Sequence, residues 1–220
     1  RVGPVAGDIK IRYNNVEDIE RALEKYGNET AAVLLEPIQG EAGIVVPSPD
    51  YFPRVAELCK KHNVLLIIDE IQTGLGRTGK MLCYEHYGVR PDIVTLGKAL
   101  SAGVYPVSAV LADKDVMLCI KAGEHGSTYG GNPLGSAVAI TALDVLVDEK
   151  LPERAERLGQ QFREGLSKIQ NPLLSTVRGM GLLNAIVIDE TKSTKNRTAW
   201  DLCLLLKTKG VLAKPTHQNI

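Results

Sequence analysis

The residues able to do chemistry in this 220-residue chain stand where apolar runs end. Residues 64 to 80 read VLLIIDEIQTGLGRTGK, an aliphatic run closed by Asp69 and Glu70 and followed by Gly74, Gly79 and Lys80. An acidic strand end suits a magnesium site, and the glycines and lysine fit most of the spacing of a phosphate-cradling loop. Nucleotide hydrolysis fails on two counts. Met81 stands where a Ser or Thr must reach the metal, and the loop follows the acidic strand instead of an earlier one. Open α/β sheets place reactive groups beyond the carboxyl ends of their strands, and three are offered there: Glu36 after AAVLL, Asp69 after VLLII and Lys98 after DIVTLG. A carboxylate and a lysine so placed form either a buried ion pair or the makings of a Schiff-base site. A partly desolvated lysine loses its proton readily and attacks a carbonyl, which an arginine cannot do. Pyridoxal phosphate needs such a lysine and an acid opposite its protonated ring nitrogen, and Asp69 and Lys98 are candidates for both. Their separation, 98 − 69 = 29 positions, leaves room for loop, helix and returning strand.

The elements that must position these groups follow from periodicity. Asn15 caps a helix over VEDIERALEKYG, with Val16, Ile19, Leu23 and Tyr26 on one face. A second helix is predicted from about Pro49 to Asn63, and Asn132 with Pro133 opens a third over PLGSAVAITALDVLVDE. Between them AAVLLEPI, VLLIID, PDIVTLG and VSAVLA are continuous apolar runs, which predict an α/β fold with a mostly parallel sheet covered by helices on both faces. From Leu151 the texture changes. A charged amphipathic helix carries Leu158, Phe162, Leu166 and Ile169, then come LSTVRGMGLLNAIVID, a helix around Trp200 and a short strand GVLAKP. Residues 1–150 are therefore expected to form part of a large cofactor-binding domain, and 151–220 part of a smaller α+β domain.

Composition narrows the classes. Basic and acidic residues number 26 each, so no surplus points to nucleic acid, and no apolar run approaches the roughly 20 residues that span a bilayer. Cys59, Cys83, Cys119 and Cys203 form no C-x-x-C pair and are expected to be reduced, mostly buried thiols, with no metal site. His86 and His217 read as isolated, His125 as structural, and Arg178 as fixing a turn.

The segments EPIQGEAG, DEIQTGLGRTG, LGKALSAG and GEHGSTYGGNPLG, in that order, resemble the class III pyridoxal-phosphate aminotransferases of fold type I, nearest the ornithine aminotransferase branch. The likeness runs through nearly the whole chain, including GVLAKPTH. It implies pyridoxal 5'-phosphate as cofactor, with Lys98 as its Schiff-base lysine and proton carrier. It further implies Asp69 at the pyridine nitrogen, Ile71 on one ring face and Gln72 at the phenolic oxygen. Ser127 and Thr128 read locally as turn and capping residues; by resemblance they reach the phosphate of a neighbouring subunit's cofactor, which implies a homodimer or higher homo-oligomer with shared sites. Glu41 reads locally as a solvated acid; by resemblance it pairs with an arginine and lets one pocket accept first a diamino acid and then a dicarboxylate. The implied reaction moves the δ-amino group of L-ornithine to 2-oxoglutarate, with acetylornithine or another ω-amino acid, or a non-catalytic scaffold, as alternatives. Relatives of this kind suggest the mitochondrial matrix, or else the cytosol. Both ends read as cut, so the resemblance places the phosphate loop, the stacking aromatic and the arginine partner of Glu41 outside these residues.

Overall fold

The computed structural model describes residues 4–5, 9–217 and 219–220. In chain order they form β1 (Pro4–Val5), β2 (Ile9–Lys10), α1 (Val16–Tyr26), β3 (Ala32–Leu35), α2 (Tyr51–Lys61), β4 (Leu65–Asp69), β5 (Ile93–Leu96), β6 (Ala109–Ala112), α3 (Lys114–Met117), α4 (Pro133–Asp148), α5 (Leu151–Ser167), β7 (Leu174–Met180), β8 (Leu183–Ile188) and α6 (Ala199–Thr208). The caps read from sequence are in place. Asn15 accepts from the Asp18 N–H and Asn132 from the Gly135 N–H, each satisfying a backbone donor that the first helical turn leaves open.

The main sheet has the order β3-β4-β5-β6. The first three strands are parallel and β6 is antiparallel. The chain returns from β5 to β6 through a 3-10 turn at Lys98–Ser101, without the crossover helix that another parallel strand would need. One face is well packed: Leu66 and Ile68 of β4 bury against Val16, Ile19 and Leu23 of α1 and Phe52, Val55 and Leu58 of α2. Further along, Val94, Leu96 and Leu100 bury with Leu75 and meet Ala139, Leu143 and Leu146 of α4. Burial alternates along β4 and β5, so the other face is only half covered, and Leu34 and Val110 on it are 59% and 55% exposed. The expected cover is therefore complete on one face and partial on the other among the described residues.

Three local expectations change. Between Asp69 and Lys98 there is no α-helix, only the 3-10 turn Cys83–Tyr87. The glycines of GLGRTG break helical propensity and bring the backbone close to the C-terminal elements. Gly76, at φ +85°, lies against Leu146 and Pro152, and the Leu182 N–H donates to the Arg77 carbonyl at 2.9 Å. This loop thus docks α5 and the β7–β8 hairpin onto the sheet. GVLAKP forms no strand, because residues 211–216 find no partner edge; Leu212 is 86% exposed, and the Ile188 N–H at the end of β8 is taken by the Asn219 carbonyl. Of the four thiols only Cys59 and Cys83 are buried, while Cys119 is exposed on a short surface turn and Cys203 is half-buried.

Packing of α5 on the hairpin is close enough to test. A Cβ on Gly159 would overlap the Gly181 carbonyl, which already accepts from Arg163 Nη1 at 2.9 Å. Gly159→Ala is expected to destabilise by about 1–3 kcal/mol through overpacking. Gly165→Ala, on the same helix with open space around it, is expected to leave stability unchanged or slightly raised. Thermal melting of the two variants of the full-length parent separates these outcomes; equal melting temperatures would dismiss the close contact.

Candidate active site

β4 ends at Asp69, and its register against β5 sets Asp69 beside Thr95. Thr95 Oγ1 donates to Asp69 Oδ1 at 3.1 Å, and the Ile71 N–H donates to the same oxygen at 2.9 Å. Both donors fall on one oxygen. Among the described residues no hydrogen bond reaches Oδ2, so this half-buried carboxylate keeps an acceptor for a ligand N–H.

Glu70 behaves differently from its neighbour because it is buried, at 1% exposure. Its Oε2 accepts from the Thr73 hydroxyl at 2.5 Å and its Oε1 from the Tyr84 N–H at 2.8 Å. Burial pushes its carboxyl above the usual carboxylate range, against the pull of the Thr73 hydroxyl and the Tyr84 and Cys83 amides. Glu70 thereby ties the 70–74 turn to the 83–87 turn. Of the acidic pair, only Asp69 remains available to a ligand.

Two glycines bring the next residues onto the same site. A Cβ on Gly97 would touch Ile71 at 3.4 Å, so Ile71 lies against the backbone just before Lys98. A Cβ on Gly40 would overlap Gln72 Oε1, so the Gln72 amide lies directly on the Gly40 backbone. The Gly40 N–H in turn donates to Glu36 Oε2 at 3.0 Å, which makes Glu36 a brace for this turn.

Lys98 opens its 3-10 turn at φ +42°. A non-glycine residue held in the left-handed region costs on the order of 1–3 kcal/mol and persists where its surroundings fix it. Here the Leu100 N–H bonds to the Gly97 carbonyl at 3.0 Å, and Leu100 and Ser101 are buried behind the turn. The Lys98 side chain is exposed, and among the described residues its Nζ makes no hydrogen bond and no ion pair. The alternative of a buried ion pair with Asp69 is thus not what the fold builds. Lys98 borders an open concavity of about 410 Å³, lined also by Ser101, Pro106, Val107 and Ser108.

Glu41 stands on the loop from Gly40 to Ile44, closed by the paired backbone of Gln39 and Val45. Lys214 Nζ donates to Glu41 Oε2 at 2.8 Å, and Thr216 Oγ1 donates to the Glu41 carbonyl at 2.8 Å. The Glu41 carboxyl is held below its ordinary range first by the Lys214 hydrogen bond and charge, then by the Gln72 amide and the charge of Lys98. Glu41 directly follows Gly40, whose backbone lies against the Gln72 amide. Arg178, read from sequence as a local turn residue, reaches across 135 positions to the Gly43 carbonyl instead.

Ser127 and Thr128 stand apart in an exposed segment. Ser127 Oγ accepts from the Gly130 N–H at 2.8 Å, a local turn bond, and no hydrogen bond links either residue to the Asp69–Lys98 group among the described residues. His86 is not isolated, since its Nε2 meets the Thr78 carbonyl at 3.0 Å. Sequence reasoning missed Thr95 and Lys214. A hydroxyl three positions before the lysine, at the strand level of the aspartate, was a readable signal for Thr95; nothing local marks Lys214.

The donor and acceptor set fits pyridoxal 5'-phosphate: a carboxylate oxygen and a lysine amine that have no partner among the described residues, an apolar shelf at Ile71 and an amide at Gln72. With a parallel sheet core offering these groups at its strand ends, the fold is that of the fold type I transferases. The chain belongs to the class III aminotransferases, whose family description, aminotransferase class-III, matches residues 6–220. It is 64% identical over 210 residues to an ornithine aminotransferase of Emericella nidulans, covering 96% of this chain and 46% of that protein. The ornithine aminotransferase structure from Toxoplasma gondii superposes with a TM-score of 0.89 at 52% identity, over 95% of this chain and 49% of that one. A structure called acetylornithine aminotransferase, from Elizabethkingia anophelis, gives a TM-score of 0.90 at 56% identity, over 96% and 53%. The chain spans about half the length of the relatives it matches.

Proposed function

We propose that the full-length parent of this chain is a pyridoxal-phosphate aminotransferase that moves the δ-amino group of L-ornithine to 2-oxoglutarate, yielding glutamate 5-semialdehyde and glutamate. The observation that carries the reading is the placement at neighbouring strand ends of a half-satisfied Asp69 carboxylate and a Lys98 amine that has no partner among the described residues. When bound, pyridoxal phosphate supplies an electron sink that weakens the bonds at the amino-bearing carbon. Asp69 Oδ2 would accept the ring N–H and stabilise its positive charge, while Thr95 and Ile71 hold the carboxylate in place through Oδ1. Ile71 would exclude water from one ring face, and Gln72 would offer its amide to the phenolic oxygen. Lys98 Nζ would move a proton between the substrate's amino-bearing carbon and the cofactor carbon that takes up the nitrogen, as a positioned general base and acid.

Ser127 and Thr128 are proposed to reach the cofactor phosphate of a second copy, which makes the parent a homodimer or higher assembly. Their exposure, with no hydrogen bond to the Asp69–Lys98 group among the described residues, supports that assignment. The same proposal divides the chain at residue 150, supported by the packing of α5 on the β7–β8 hairpin. Localisation in the mitochondrial matrix is supported by the mitochondrial designation of the rice and rat relatives. No helix among the described residues is long and apolar enough to cross a membrane.

The 56% identity to the Elizabethkingia protein supports acetylornithine as a second substrate reading. Parallel assays of the full-length parent with ornithine, acetylornithine and 4-aminobutyrate decide between them; turnover with acetylornithine alone would reject the ornithine reading. A non-catalytic scaffold has no use for an unpaired Lys98 beside a half-satisfied Asp69, and turnover with any of the three donors removes it.

Glu41 is proposed to select between the two amino donors. By neutralising Lys214 and any further cation nearby, it withholds the positive charge that would bind the α-carboxylate of glutamate. Glu41→Ala is expected to lower the ratio of ornithine to glutamate kcat/KM by about tenfold. Single-turnover absorbance of each half-reaction measures this, and an unchanged ratio removes Glu41 from donor selection.

A further inference from the structure

We propose that Arg178 is a positioning residue for Glu41, acting on donor selection without touching either substrate. The proposal rests on the reading of Glu41 given above. Arg178 lies on β7, opposite Ala185 of β8, and its guanidinium extends to the loop from Gly40 to Ile44. Nε and Nη2 both donate to the Gly43 carbonyl, at 3.1 and 2.7 Å. Two donors from one planar fork fix the direction of a carbonyl better than the single ammonium of a lysine.

The backbone at this carbonyl needs outside support. Gly43 sits at φ +104° and Ile44 at φ +55°. The left-handed region is an outlier for a β-branched residue and holds only where neighbours over-determine it. Within the loop, the Gly43 and Ile44 N–H groups bond to the Gly40 carbonyl at 3.0 and 3.1 Å. The Ile44 side chain is buried with Ile38, Cys83 and Ala185. Arg178 adds the contact that holds the peptide unit joining the two unusual residues. On the other side, Thr216 holds the Glu41 carbonyl. The loop presenting Glu41 is therefore gripped at both ends by residues from the C-terminal part of the chain, while Gly40 carries Gln72. If the Arg178 grip is lost, the Gly43–Ile44 unit relaxes and Glu41 moves relative to Gln72 and Lys98.

Arg178→Gln and Arg178→Lys in the full-length parent test this alongside Glu41→Ala. In Arg178→Gln, the ratio of ornithine to glutamate kcat/KM is expected to fall by about tenfold, and in Arg178→Lys by about threefold, since lysine restores one donor. In a Glu41→Ala background, Arg178→Gln should add no further change to the ratio, as expected when one residue acts through the other. A readout independent of turnover is amide hydrogen exchange in the cofactor-free protein, where Gly43 and Ile44 should exchange about tenfold faster in Arg178→Gln. A merely structural arginine would lower both half-reactions by one factor, and that result overturns the proposal, as does unchanged exchange over residues 39–45. Should Arg178→Gln fail to fold, Arg178→Lys supports both comparisons. If Glu41→Ala shifts the ratio and neither Arg178 variant does, only the role of Arg178 falls. If Glu41→Ala leaves the ratio unchanged, the selection reading and the positioning role fall together.

Discussion

Lys98→Ala in the full-length parent is expected to reduce transamination by about 10⁴-fold or more, because one substitution removes both the proposed covalent anchor and the proposed proton carrier. The structure singles out this lysine on three grounds. It follows the end of β5, one strand over from Asp69; its backbone is held at φ +42° by a hydrogen-bonded turn; and its amine has no partner among the described residues. Lys80, the lysine of the phosphate-loop spacing, differs on the last count, since its Nζ reaches the Glu85 carbonyl at 3.3 Å. Lys80→Ala is the natural control and should keep near-native turnover. Borohydride reduction of the loaded parent, followed by peptide mass mapping, should attach cofactor at residue 98 and nowhere in the alanine variant. Cofactor trapped on another lysine would falsify the assignment.

Much of the site was legible because its members are local in sequence. Asp69, Ile71 and Gln72 lie within four positions of a strand end, and Lys98 follows a second apolar run. The parallel pairing of those two runs then brings the groups together without further information. Helix caps at Asn15 and Asn132 were readable for the same reason, since a capping side chain answers a donor three residues away. What sequence concealed depends on contacts between distant segments. The GLGRTG loop lies close to Leu146 and Pro152 at Gly76 and to Gly181 at Arg77 and Thr78, partners that lie some 70 to 100 positions later. Arg178 and Lys214 find the Glu41 loop across still longer separations, 135 and 173 positions, which no local periodicity encodes. The error over GVLAKP has the same origin. Its apolar residues suit a strand, but a strand requires a neighbouring edge, and among the described residues none pairs with it. Apolar β3 to β6 likewise promised cover on both faces, and the described residues supply it on one.

Asp69→Asn should leave cofactor binding largely intact and slow transamination by roughly two to four orders of magnitude, the equivalent of losing a charge pairing of about 3–5 kcal/mol. The geometry explains why so small a change matters. Asp69 Oδ1 already accepts from Thr95 and Ile71. An asparagine in the same place would keep its single carbonyl oxygen for those two donors and turn its NH₂ toward the ring nitrogen. A donor would then face the atom that must itself carry a proton. The ring nitrogen would stay neutral, and the electron sink would be lost while the remaining contacts still hold the cofactor. Binding and turnover therefore separate in this variant, whereas a variant that merely unfolded the strand end would lose both. Cofactor absorbance of the purified variant measures the first, and single-turnover rates with ornithine measure the second. Turnover within about threefold of the native rate, on the same free-energy scale, would remove Asp69 from the mechanism and leave its two hydrogen bonds as structural ties between β4 and β5.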